Sequence, residues 1–186
     1  MKTVWVRHGQ SEYNAKNLST GWHDPELTEL GVQQALAVAE QLKNKYPVIA
    51  SVHCSDLRRS FYTARIIMST CPWFDDIKVD SLLRERDYGD WSGKNKDEIC
   101  VELGEPAFMN VRRGWNRAPE NGESLKECAD RVATFLKDLE EENNLPHLIV
   151  CHGNTIRAAS VVLGKNTAES VRDWEIGTGE FIEWDS

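Results

Sequence analysis

The chain has 186 residues, 40% hydrophobic and 28% charged, a size and composition that suit one folded core, so a single domain over residues 1–186 is expected. Its formal net charge of −8 disfavours nucleic acid or an anionic membrane as partner, since either needs a basic footprint, but leaves a locally positive pocket for a small anion open. No apolar stretch approaches the roughly 20 residues that cross a bilayer, and the opening MKTVWVRHGQ lacks a long apolar region, so a cytoplasmic location is expected.

Lys2–Val6 is short and rich in β-branched and aromatic residues, then gives way to Arg7-His8-Gly9, the pattern of a strand feeding an active loop. Thr28 caps a predicted helix whose apolar face is Val32, Ala35, Leu36, Ala39 and Leu42. A strand is predicted at Val48–Cys54 and a helix at Leu57–Met68, carrying Arg58, Arg59 and Arg65. Ser81 to Gly122 has several glycines and no clean period; it reads as a long excursion over the sheet, a natural place for substrate-contacting loops. Ser124 and Glu127 form a capping box for a helix with the face Leu125, Cys128, Ala129, Val132, Leu136 and Leu139, running to an acidic, polar end at Glu140–Asn144. Leu148–Cys151 is a second strand that delivers a histidine and a glycine, His152-Gly153, and Thr155–Leu163 is a helix closed near Gly164. Strands alternating with helices imply parallel pairing, with a site beyond the carboxyl ends of the strands.

The chemistry-bearing residues sit at those strand ends. Imidazole is a nucleophile when one ring nitrogen is unprotonated and the other is held by a hydrogen bond, which makes His8 a candidate. Gly9 would let backbone approach a phosphate closely. His152, on the second strand, would bind the same phosphate, with Arg157 on the helix that follows. Arg59 lies one turn into its helix, where backbone donors are also unpaired. Glu85, in LLRERDYG, is the candidate general acid and Asp87 its local rival; a carboxylate serves as acid near neutral pH only if burial or an arriving phosphate raises its pKa. His23, His53 and His147 have no tight ligand spacing with His8 or His152, so no metal is expected. The five cysteines are scattered, odd in number and free of CxxC pairs; Cys151 beside His152 reads as a buried thiol, because adjacent strand residues point to opposite faces.

Taken in order, VRHGQSEYN, STGWHDPELTELGVQQA, CSDLRRSFYTA, ERDYGDWSGKNKDE, NGESL, CHGNTIRA and IGTGEFIEW resemble the histidine phosphatase superfamily, and within it the cofactor-dependent phosphoglycerate mutases, over essentially the full length. The resemblance implies an α/β, three-layer phosphoglycerate mutase-like fold with a mostly parallel sheet flanked by helices. It implies phosphorylation of His8, a phosphate pocket of Arg7, Arg59 and His152, and proton donation by Glu85. Asn14, Gly153 and Asn154 would complete that pocket. Ser11, Thr20, Gly21, Tyr88, Lys96, Arg112 and Arg113 match mutase-like positions, the last four gripping the rest of phosphoglycerate. The expected reaction is then interconversion of 3- and 2-phosphoglycerate, primed by 2,3-bisphosphoglycerate and needing no metal. The alternative is a phosphatase hydrolysing small phosphomonoesters. Two departures point toward it: RRGW is followed almost at once by APENGESL, and the sequence ends at Trp184-Asp185-Ser186 without a covering tail, so water would reach the phosphohistidine. A binding protein on the same scaffold would be expected to lack the nucleophile or the proton donor, whereas His8, His152, Arg7, Arg59 and Glu85 are all in place. The resemblance also leaves a homo-oligomer open.

Overall fold

Strand β1 (Lys2–Arg7) alternates its buried side chains between two faces, Val4 and Val6 to one and Trp5 to the other, the period of two that a sheet covered on both sides requires. The computed structural model describes residues 1–73, 76–139 and 145–185; the polar end expected at Glu140–Asn144 lies outside them. After β1 come a short helix α1 (Glu12–Ala15) and a long one, α2 (Glu29–Lys45). Thr28 caps α2 by accepting from the Gly31 amide, as the sequence predicts. The buried face differs from the expected one: Val38 joins Ala35, Ala39 and Leu42, while Val32 and Leu36 are exposed. At 100° per residue the stripe through 31, 35, 38, 39 and 42 is the one that meets the sheet, and Val32 and Leu36 fall to its side.

Strand β2 is shorter than expected, Ser51–Cys54, and Val48 is exposed. It leads into α3 (Arg58–Thr70), whose N-cap is Leu57. A two-residue edge strand, β3 (Lys78–Val79), follows. The excursion after Ser81 is more ordered than its lack of period suggests. It holds two single-turn 3-10 segments, then helices α4 (Lys96–Leu103) and α5 (Glu105–Arg113). Gly104, at φ +78°, breaks the pair apart, so neither helix is long enough to declare a stripe in sequence. Helix α6 (Leu125–Asp138) begins with the predicted capping box of Ser124 and Glu127. Strand β4 (His147–Cys151) and helix α7 (Gly153–Val162) complete the expected repeat, and Gly164 closes that helix at φ +68°. The chain then adds a strand not foreseen, β5 (Phe181–Asp185), antiparallel to β1.

The sheet order is β3-β2-β4-β1-β5, parallel throughout except at β5. One core cluster joins the sheet to α2 and α3; the other joins it to α6 and α7, making a three-layer α/β fold. The register decides where the site forms. Arg7 pairs with Cys151 across β1 and β4, and the His8 amide extends the ladder by donating to the Cys151 carbonyl at 3.0 Å. His8 and His152 therefore leave neighbouring parallel strands at matching positions, at their carboxyl ends.

Candidate active site

The two histidine rings lie 5.0 Å apart, centroid to centroid, at 62°. Both are buried. His8 Nδ1 is 2.6 Å from the Gly9 carbonyl oxygen, which can only accept, so the ring carries its proton on Nδ1 and leaves a lone pair on Nε2. Burial first, then the charges of Arg59 and Arg7, hold the His8 pKa well below its usual value, against the opposing Gly9 bond. The ring is thus neutral near pH 7, the form a nucleophile needs. His152 is held low by burial and then by Arg59, His8, Arg131 and Arg7. Its Nε2 lies 2.6 Å from Ser55 Oγ. If Ser55 Oγ donates to Nε2, the His152 proton sits on Nδ1, a buried atom with no partner among the described residues.

Arg59 is fully buried from the second position of α3. Its Nε donates to His8 Nε2 at 3.3 Å, while Nη1 and Nη2 donate to the carbonyls of His23 (2.8 Å) and Gly21 (2.9 Å). Burial and the neighbouring Arg7 cut its pKa to about 10, with Glu85 and Asp24 opposing, so it remains a cation. Arg7 donates through Nη1 to the Ile176 carbonyl at 2.5 Å and leaves Nε buried without a partner among the described residues. A buried donor left unpaired costs about 1–3 kcal/mol. Two such groups, Arg7 Nε and His152 Nδ1, beside the same pair of rings suit the oxygens of an incoming phosphoryl group.

An open cleft of about 80 Å³ adjoins these groups, roughly two to three water volumes. Arg7 and Gly153 line it, as do Glu85, Asn14, Thr20, Asn154, Tyr88, Lys96, Arg112 and Arg113 from the expected set. His8 and His152 are the chain neighbours of two lining residues and stay behind the surface. Glu85 Oε1 accepts from the amides of Arg86 (2.8 Å) and Asn154 (3.2 Å). Its rival Asp87 instead accepts from the Gly89 amide and is not part of the cleft wall. Asn154 donates to the Tyr88 hydroxyl at 3.1 Å and accepts from Arg157 at 2.9 Å. Burial leads the lowering of the Lys96 pKa, helped by Arg112 and Arg7, as a crowd of cations requires.

Ser11 and Gly21 do not line the cleft. Ser11 caps α1 and commits the Asn14 side-chain oxygen, Oδ1, through two 3.0 Å bonds from its amide and hydroxyl, whereas Gly21, at φ +52°, offers its carbonyl to Arg59. Gly9 has a packing role that the sequence did not show. A Cβ there would sit 2.1 Å from the Gly31 carbonyl oxygen, so the small residue makes room for α2. Cys151 is fully buried among apolar neighbours, and desolvation pushes its thiol well up. Among the described residues no three His, Cys, Asp or Glu side chains come together to hold a metal ion, and no helix is long and apolar enough to cross a membrane.

Three further residues were not singled out from sequence. Ser55 orients His152. Arg86, fully buried, donates to the carbonyls of Val111 (3.0 Å) and Arg112 (3.1 Å) and so fixes the end of α5 that carries the paired arginines. Glu175 lines the cleft and ion-pairs Arg113. The residue type of each is ordinary and its partner lies far along the chain; only the adjacency of Arg86 to Glu85 offered a signal.

The chain matches the family model described as "Histidine phosphatase superfamily (branch 1)" over residues 3–185. It is 40% identical to a 2,3-bisphosphoglycerate-dependent phosphoglycerate mutase of Parvibaculum lavamentivorans over 190 residues, covering 98% of this chain and 89% of that one. The Bartonella tribocorum protein of the same description is 38% identical, covering 95% and 87%. Among solved structures, a mycobacterial glucosyl-3-phosphoglycerate phosphatase in complex with VO3 superposes with a TM-score of 0.88 at 31% identity, covering 98% of this chain and 91% of that one. An alpha-ribazole phosphatase from Shigella flexneri superposes with a TM-score of 0.83 at 26% identity, covering 100% and 90%.

Proposed function

The chain belongs to the histidine phosphatase superfamily, branch 1, and from that premise we propose that it is a phosphomonoesterase acting through a phosphohistidine at His8 on a small substrate of the phosphoglycerate class. The observation that carries this reading is the neutral His8, its lone pair left on Nε2 by the Gly9 bond, set between two arginines and a second neutral histidine. His8 Nε2 attacks phosphorus, the ester P–O bond breaks, and Glu85 gives its proton to the leaving oxygen. Glu85 then takes a proton from water, which attacks the phosphohistidine; the P–N bond breaks and its electron pair returns to Nε2. Arg7, Arg59 and His152 stabilise the charge on the transferring group throughout. Hydrolysis is placed first because the solved structures it superposes on include phosphatases.

A second reading, phosphoglycerate mutase, is favoured by the further cations lining the cleft, Lys96, Arg112 and Arg113, and by the identity to the curated mutases. Tyr88, Lys96, Arg112 and Arg113 would hold the carboxylate, or the second phosphate of a bound bisphosphoglycerate, while the intermediate turns over. In that reading 2,3-bisphosphoglycerate primes His8 and the glycerate hydroxyl, rather than water, discharges it. In either reading the excursion at about 81–122 is the substrate-covering part of one catalytic domain, since α4 and α5 supply Lys96, Arg112 and Arg113.

A phosphorus NMR time course with 3-phosphoglycerate, with and without catalytic 2,3-bisphosphoglycerate, separates the two. Inorganic phosphate without isomerisation supports hydrolysis. Primer-dependent 2-phosphoglycerate with little inorganic phosphate would replace it with the mutase. Turnover of either kind by His8→Ala would sink both.

A further inference from the structure

Among the described residues lining the cleft, Glu175 is the one acid that the reaction above does not use. It is not a loose surface acid. The loop that carries it is pinned on both sides by arginines of the cleft: Arg157 Nε donates to the Trp174 carbonyl at 3.1 Å, and Arg7 Nη1 donates to the Ile176 carbonyl at 2.5 Å. Between those two anchors the Glu175 carboxylate pairs with Arg113 Nη2. The two partners are unequal. The Arg113 side chain is only 12% exposed and its helix end is held by Arg86, whereas the Glu175 side chain is 59% exposed. The guanidinium is therefore the fixed element and the carboxylate the one free to leave. Burial pushes the Glu175 carboxyl up, but the Arg113 bond and the charges of Arg113, Arg112 and Arg7 outweigh it and hold the pKa below its usual value.

We propose that Glu175 is a specificity-determining residue: its carboxylate occupies the Arg113 guanidinium, and the second anionic group of a substrate must displace it. The proposal rests on the reading that Lys96, Arg112 and Arg113 receive such a group. It follows that a ligand with only one phosphoryl group leaves the Arg113–Glu175 pair intact. A ligand that also bears a carboxylate exchanges one ion pair for another, and its affinity is reduced by whatever the first pair was worth. Partly exposed pairs are modest, so the reduction is roughly two- to fivefold and shrinks as salt rises.

The test uses hydrolysis of p-nitrophenyl phosphate by the full chain, with 3-phosphoglycerate as competing ligand; its inhibition constant is a dissociation constant if it is not turned over and its own KM if it is. In Glu175→Gln the inhibition constant of 3-phosphoglycerate should fall roughly two- to fivefold, while the KM for p-nitrophenyl phosphate changes far less. In an Arg113→Met background the same Glu175→Gln change should do nothing to either constant. An unchanged or higher inhibition constant in Glu175→Gln, or equal shifts for both compounds, would overturn the proposal. If wild type binds 3-phosphoglycerate no better than Arg112→Met and Arg113→Met do, the second-anion reading itself fails, and this proposal with it. Wild-type dependence on those arginines combined with indifference to Glu175 removes this proposal alone.

Discussion

Arg59 Nε donates to His8 Nε2 across 3.3 Å, so the nitrogen suited to attack phosphorus is covered by a cation. The contact has two consequences. It keeps the ring neutral, since a proton on Nε2 would face the guanidinium, and it must yield or reorient when phosphorus arrives. Replacing Arg59 by Met removes one of the causes that lower the His8 pKa, leaving burial as the leading one. The His8 titration, followed by nitrogen NMR of the imidazole, should move upward toward 6.5 without reaching it. Turnover should fall on the order of a hundred- to a thousandfold, the usual loss for one preorganised donor. An unmoved titration would remove Arg59 from the control of the nucleophile.

Ser55 sets the other histidine. Its hydroxyl is 2.6 Å from His152 Nε2, and when that hydroxyl donates, the ring presents a donor at Nδ1. Ser55→Ala releases the ring to place its proton on either nitrogen. Formation of phospho-His8 in a single turnover should slow on the order of ten- to a hundredfold, a scale taken from the loss of partners that orient metal-bound histidines. Thermal stability should change far less than activity. Unaltered phosphoenzyme formation would make Ser55 merely a packing residue.

The parts of this site legible in the sequence are those carried by short-range pattern. A strand followed by His-Gly occurs twice, and two parallel strands in register bring the histidines together; hence His8 and His152 were within reach of sequence reasoning. The capping residues Thr28 and Ser124 were equally readable, because a cap is a contact three residues long. The rest depends on partners far apart in the chain: Ser55 on His152, Arg86 on the end of α5, Glu175 on Arg113. Helices α4 and α5 escaped notice because Gly104 divides them into pieces of eight and nine residues. The exposed Val32 and Leu36 show the opposite hazard, a genuine helix whose outer apolar residues were assigned to its inner face.

Acid should unfold this protein earlier than its carboxylates alone require. His8 and His152 are held well below the ordinary 6.5, and burial, then Lys78 and His147, take His53 to about 4. As pH falls through 6.5 the unfolded chain takes up protons that the folded chain refuses, so stability is lost below that value; above it these rings are neutral in both states and add no slope. For His53 the window closes near 4. The urea midpoint should therefore fall between about pH 7 and about pH 5, and less steeply in His53→Gln. A flat midpoint across that interval would show that the rings are protonated as readily in the fold as outside it.

Gly9 joins stability to chemistry. A Cβ at this position would lie 2.1 Å from the Gly31 carbonyl oxygen and 2.9 Å from its Cα, both backbone atoms of α2 that cannot rotate away. Gly9→Ala must therefore push α2 and the loop after β1 apart, at a cost of about 1–3 kcal/mol or more for overpacking. At roughly 2–4 °C per kcal/mol for a chain of this size, Tm should drop on the order of 5 °C. The same displacement moves the carbonyl that accepts from His8 Nδ1, and the Gly9 amide that donates to Thr63 Oγ1 at 3.1 Å. Activity should accordingly fall by more than the folded fraction at the assay temperature explains. If Tm drops while activity per folded molecule is retained, the carbonyl of residue 9 does not set the tautomer of His8. If neither changes, the close approach of Gly9 and Gly31 is not a constraint on the fold.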